Sequence, residues 1–166
     1  MGLLTLIVIS LVQSSTYEGR VIQDCSENGT IEIRNQKVDS NVLFKDLKEN
    51  CGKITEIILT NASLRELPSN AFSGLSDVRT VKLDHNLLSH LQSDLFAGLT
   101  SLSTLSVSNN NLSAVSSLHL PGPLTSIDFS FNKISNSVNN IFSATSTFQV
   151  NYAELRAVSL VNISRP

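Results

Sequence analysis

The sequence predicts an α/β solenoid: a short stack of coils that lays a parallel β-sheet along one face. Three observations carry this. A row of apolar residues recurs at a fixed step, an asparagine stands at the same point of successive units, and the apolar spacing changes in the second half of each unit. Ile54-x-x-Ile57-x-Leu59-x-x-Ala62-x-Leu64 aligns with Val78-x-x-Val81-x-Leu83-x-x-Asn86-x-Leu88 at an offset of 24. Leu102-x-x-Leu105-x-Val107-x-x-Asn110-x-Leu112 follows after another 24, and Leu124-x-x-Ile127-x-Phe129-x-x-Asn132-x-Ile134 after 22. A fixed period of this length means coils that bury their apolar rows only against their neighbours. The second halves also match, with Leu67, Phe72, Gly74 and Leu75 answered by Leu91, Phe96, Gly98 and Leu99.

Taken in order, residues 1–16 read as a signal peptide. Leu3 to Val12 is apolar apart from Thr5 and Ser10, and Gln13-Ser14-Ser15 offers a small-residue cleavage site. The other reading is a buried strand. Residues 17–53 read as an N-terminal cap, because the first coil of a solenoid otherwise exposes its apolar rows. Within it, Thr30-Ile31-Glu32-Ile33-Arg34 alternates as an edge strand does, and Ser40 stands where it could cap a helix carrying Val42, Leu43, Phe44 and Leu47. Cys25 and Cys51 are the chain's two cysteines. In a secreted protein an even count favours a disulfide between them, stapling the cap to the first repeat.

Residues 54–134 are the four repeats. In each, a short strand turns alternate residues inward, and the returning segment closes the far side of the core. Asn86, Asn110 and Asn132 occupy the point where the chain leaves the strand and its backbone loses sheet partners. A buried amide satisfies both N–H and C=O groups there, so these three read as a structural ladder. Ala62 stands at the equivalent place in the first unit, so the ladder begins with the second. Residues 135–166 read as a degenerate last repeat or tail. Leu155-x-x-Val158-x-Leu160 is the candidate for a last strand, and a frayed terminus is the other reading.

The pattern over residues 54 to 134 resembles that of leucine-rich-repeat proteins of the secreted or ectodomain type, with about 24 residues per unit and a Phe near the end of each. The resemblance implies a right-handed coil with its sheet on the concave side. It implies a role in binding another extracellular protein or a glycan, as in innate recognition, matrix contact or adhesion. The family's C-terminal cysteine cap has no counterpart in this sequence.

Composition narrows the function. The chain has 166 residues with 12 Lys+Arg against 14 Asp+Glu, a net charge of −2. No basic footprint grips nucleic acid or an anionic membrane, and no apolar run reaches the ~18 residues that span a bilayer. Four sequons, at Asn28, Asn61, Asn111 and Asn162, fit a secreted, extracellular glycoprotein. Neither a serine-nucleophile nor a metal-ligating spacing occurs. The expectation is no enzyme, no cofactor and no metal.

What remains is the outward surface of the strands. Its columns read Glu56, Thr80, Thr104 and Ser126; Ile58, Lys82, Ser106 and Asp128; Thr60, Asp84, Ser108 and Ser130; and Asn61, His85, Asn109 and Phe131. On this hydroxyl-rich floor Lys82, Asp84, His85, Ser106, Asp128 and Phe131 are the expected contact residues, with Phe131 and Ile58 the apolar exceptions. The floor offers roughly fifteen to twenty residues, at or below the ~20–30 per side of a standard interface. The rival readings are a solvent-facing sheet without a partner and an accessory or assembly subunit, or truncated receptor relative, that associates through its open C-terminal edge as a homodimer or on a larger protein.

Overall fold

The structure, a computed structural model, describes residues 29–115, 118–120, 124–134 and 149–150. The segment 1–16, Cys25, Asn28, Asn162 and the strand expected between Leu155 and Leu160 lie outside them. Seven elements follow in order: β1 (Thr30–Arg34), α1 (Ser40–Asn50), β2 (Glu56–Thr60), β3 (Thr80–Lys82), β4 (Thr104–Ser106), β5 (Ser126–Asp128) and β6 (Gln149–Val150). The six strands form one sheet in chain order, and every neighbouring pair is parallel. This fits a solenoid-like α/β fold.

The register follows from the repeat. Ile57, Val81, Leu105 and Ile127 face one another across adjacent strands, and all four are buried. Parallel strands need a long return connection, which here runs through tight turns such as Ala71 N–H to Pro68 O at 2.9 Å and Leu99 N–H to Phe96 O at 3.0 Å. On that far side Phe44, Phe72 and Phe96 form a row. Phe44 meets Phe72 edge-on at 5.2 Å, and Phe72 stacks on Phe96 at 5.5 Å. The cap helix therefore adds its aromatic ring to the row made by the repeats, and the core runs unbroken from cap to coils.

The cap joins the sheet as a coil of its own. β1 pairs parallel with β2 over Thr30↔Glu56 to Arg34↔Thr60, so Ile31 and Ile33 extend the buried row. Gly29, at φ +72, makes the entry: its carbonyl accepts from Thr55 N–H at 2.7 Å and Glu56 N–H at 3.1 Å. The helix begins at Ser40, but its N-cap is Asp39, whose side chain accepts from Asn41 N–H at 2.9 Å and Val42 N–H at 3.1 Å. Ser40 is thus the first helical residue and not the cap. Asp39 holds the extended backbone that a capping side chain needs to reach those two N–H groups. Leu43, Phe44 and Leu47 are buried as the helical spacing requires, whereas Val42 is exposed.

The asparagine column reaches between coils. Asn86 Oδ1 accepts from Ala62 N–H at 3.0 Å and Leu64 N–H at 3.1 Å, while its Nδ2 donates to Leu59 O at 2.7 Å and Leu83 O at 2.9 Å. Asn110 repeats this one coil on, accepting from Leu88 N–H and donating to the Leu83 and Val107 carbonyls. Asn132 accepts from Leu112 N–H and donates to the Val107 and Phe129 carbonyls. Each amide closes the strand exits of two successive coils, which fixes where the next residues of the open face stand.

Candidate binding face of the sheet

Three columns of side chains run across the sheet on the side away from the core. Register places Thr30, Glu56, Thr80, Thr104 and Ser126 in one, and Glu32, Ile58, Lys82, Ser106 and Asp128 in the next. Beyond the strand ends the backbone ladder continues, with Leu83 N–H to Ser106 O at 2.8 Å and Val107 N–H to Asp128 O at 2.9 Å. This carries Asp84, Ser108 and Ser130 into a third column.

A fourth column closes the face with an unusual backbone. Asn35, Asn61, His85, Asn109 and Phe131 all have φ between 52° and 56°, the left-handed region that asparagine and histidine tolerate and a bulky side chain such as phenylalanine does not. The N–H groups of Asn35, Asn61, His85 and Asn109 each donate to the carbonyl of the next coil, so the conformation belongs to the ladder itself. His85 and Phe131 adopt it without asparagine's local hydrogen bonding. Phe131 is 47 % exposed, the most open of the large apolar residues described.

The polar groups of the floor are tied together across coils. Asp84 Oδ1 accepts from the Ser106 hydroxyl, from Ser108 N–H at 2.9 Å and from the Ser108 hydroxyl at 3.0 Å. Glu56 accepts from the Thr30 hydroxyl at 3.1 Å, Asp128 accepts from Ser130 N–H at 2.8 Å, and Glu32 pairs with Arg34. Asn61 Nδ2 donates to Asn35 Oδ1 at 2.9 Å. Lys82, Asp84, Ser106 and Asp128 are half-buried on the floor, whereas His85 and Phe131 stand exposed at its rim. No hydrogen bond joins the Asp84 carboxylate to the His85 ring among the described residues.

Ile58 departs from its expected exposure: at 9 % it is buried. With β1 in place its strand is interior to the sheet, and Ile58 sits in register between Glu32 and Lys82, whose aliphatic stems are long enough to cover it. The structure also holds a feature missed in the sequence. Thr55, Ser103 and Thr125 hydroxyls donate to the carbonyls of Gly29, Arg79 and Ser103 in the preceding coil, at 3.4, 3.0 and 3.0 Å. The recurrence of a hydroxyl just after the first apolar position of the unit was the signal for it.

Among the described residues no group of His, Cys, Asp and Glu is arranged to hold a metal ion. The histidines are dispersed: His119 pairs with Asp94 at 2.6 Å in the return segments, His90 lies beside the Ser89 hydroxyl, and His85 is on the rim. Outside the sheet, a groove of about 230 Å³ lies between α1 and Pro68–Asn70, where Lys48 donates to the Asn70 carbonyl. Desolvation lowers the pKa of the Lys48 ammonium from its ordinary value. No helix among the described residues is long and apolar enough to cross a membrane.

Residues 52–112 match the family model described as leucine rich repeat. No curated protein matches the chain. The matched segment covers the end of the cap, β2, β3, β4 and the turns that Asn86 and Asn110 close. That match and the parallel sheet together support a leucine-rich-repeat protein, a class that serves in general as protein-binding modules.

Proposed function

We propose that this chain is a secreted binding module that recognises an extracellular protein through the concave, open face of its sheet. In this reading residues 1–16 direct export, a Cys25–Cys51 disulfide staples the cap, and N-linked glycans are carried at one or more of Asn28, Asn61, Asn111 and Asn162. Lys82, Asp84, His85, Ser106, Asp128 and Phe131 form the contact area, and no catalytic role is assigned to them. The carrying observation is Phe131: a 47 % exposed aromatic on strained backbone, at the rim of an otherwise hydroxyl-rich floor. Strain of this kind persists where the surrounding structure over-determines it and gathers at functional sites, and buried aromatic anchors dominate interface energies.

The test is site-specific photocrosslinking. With the crosslinker at His85, the protein is expected to capture a defined partner from extracellular fluid. With the crosslinker at Arg65, on a return segment, it is expected to capture none. Phe131→Ala combined with Lys82→Glu should remove the His85 product while leaving the folded state intact. Equal capture from both positions would move the site off the sheet.

A further inference from the structure

We propose that Asn61 carries an N-linked glycan that covers the β1–β2 end of the sheet face and confines the partner to β3–β5. This rests on the export reading above and adds which sequon is used and what its sugar does. Asn61 is exposed on the left-handed rim column, one coil before His85. Its amide nitrogen carries two protons. One is donated to Asn35 Oδ1 at 2.9 Å, and the other meets no acceptor among the described residues. A lipid-diphosphate oligosaccharide is the donor class. The bond from Nδ2 to the sugar C1 forms, the bond from C1 to the diphosphate oxygen breaks, and Nδ2 gives up one proton. The fold loses no contact, since the proton that remains still serves Asn35.

Ser63 supplies the second observation. It has φ 58, whereas Leu87, Asn111 and Lys133, at the same place in the later units, are not left-handed. Glycine or asparagine suits such backbone. The place nevertheless holds an exposed serine, whose hydroxyl makes no hydrogen bond among the described residues. Nothing in the fold calls for that hydroxyl. A glycan on Asn61 does, because only Ser or Thr two residues on completes the acceptor signal. The other described sequon begins at Asn111, which is half-buried and whose column, with Leu87 and Lys133, is not one of the four on the face.

What the glycan covers is already closed to a partner. Glu32 pairs with Arg34, Glu56 accepts from the Thr30 hydroxyl, and Ile58 is buried. Every residue assigned to the contact area lies on or after β3. A bulky, solvated sugar on the last residue before the turn of β2 therefore costs the contact area nothing, and it sets the partner's boundary between Asn61 and His85.

The test expresses the full chain in cultured insect cells and releases its glycans by glycosidase in heavy-oxygen water, which marks by mass each asparagine that held one. Asn61 is expected to be marked. Ser63→Asn, which ends the signal with a residue suited to φ 58, is expected to lose that mark and still be exported. A photocrosslinker at Glu32 is expected to tie the glycan to β1, so that glycosidase no longer frees it from the chain. One at Ser126, exposed on β5, is expected not to. Marks at other sequons with Asn61 bare would overturn the proposal and leave the export reading standing. A glycan on Asn61 tied from neither position, or equally from both, would also overturn it. A chain retained in the cells with no asparagine marked would overturn both.

Discussion

Asn86 Oδ1 accepts the backbone N–H of Ala62 at 3.0 Å, one full coil away. The first repeat has no amide of its own at its turn and uses that of the second. The same side chain takes five hydrogen bonds among the described residues, every one to backbone. Leucine at this position would fit the apolar surroundings and strand donors and acceptors in two coils at once.

Asn86→Leu is accordingly expected to destabilise the protein by about 3 kcal/mol or more, since each buried group left unpaired costs ~1–3 kcal/mol. Asn110→Leu should cost a similar amount, being as deeply buried, at 6 % against 5 % exposure. Asn132→Leu should cost less, because Asn132 is half-buried and water can reach what it leaves. Urea unfolding of the three variants checks the order; equal losses, or losses under ~1 kcal/mol, would refute a load shared between coils.

The glycines supply a graded series. At Gly29 a methyl group would lie 2.6 Å from the Lys53 carbonyl oxygen on a backbone of φ +72, and that glycine's own carbonyl holds the start of β2. Gly29→Ala should cost several kcal/mol and loosen β1 from the sheet. Gly74 has φ +82 but open space around it, so Gly74→Ala should cost only the left-handed conformation, about 1–2 kcal/mol. Gly98 would meet its nearest neighbour at 3.6 Å, an ordinary contact, and Gly98→Ala should be near neutral. Thermal unfolding that ranks Gly74→Ala below Gly29→Ala would break the series.

The repeat made most of this fold legible in the residues alone. Positions such as Ile57, Val81 and Leu105 fix the strand register because a slip by one would expose them all. The cap was legible only in outline. Its strand was readable from alternation in Thr30 to Arg34, but parallel entry 26 residues ahead of β2 depends on Gly29 and on the ring of Phe44 meeting Phe72, and neither lies in the repeat's phase. The burial of Ile58 was hidden for the same reason, since it needs β1 as a neighbour. On the open face the identities of the columns were readable. Which hydroxyls donate inward was not, because that depends on distances to Asp84 and Glu56.

Helix capping separates two adjacent residues. Asp39→Ala should cost about 1 kcal/mol by leaving two N–H groups of α1 without an acceptor, whereas Ser40→Ala should be neutral or slightly favourable at a first-turn position. Hydrogen exchange of the Asn41 and Val42 amides reads this locally: faster exchange in Ser40→Ala than in Asp39→Ala would return the cap to Ser40.

The left-handed column separates stability from recognition. Asn35, Asn61 and Asn109 occupy it with a residue suited to φ near 53°, while Phe131 occupies it at φ 52 and exposes its ring. Replacing Phe131 by Asn gives up packing over the covered half of the ring and relieves backbone strain. The two effects nearly offset, and Phe131→Asn is expected to leave stability within about 1 kcal/mol of the parent. His85→Asn, at φ 56 and exposed, should be near neutral, because histidine also tolerates this region. If the sheet face is the binding site, Phe131→Asn should lose the partner captured at His85 at little or no cost to the fold, as expected where a strained residue is kept for contact. A Phe131→Asn variant less stable than the parent by well over ~1 kcal/mol would show that the ring is held by packing within the fold and is not kept out for a partner.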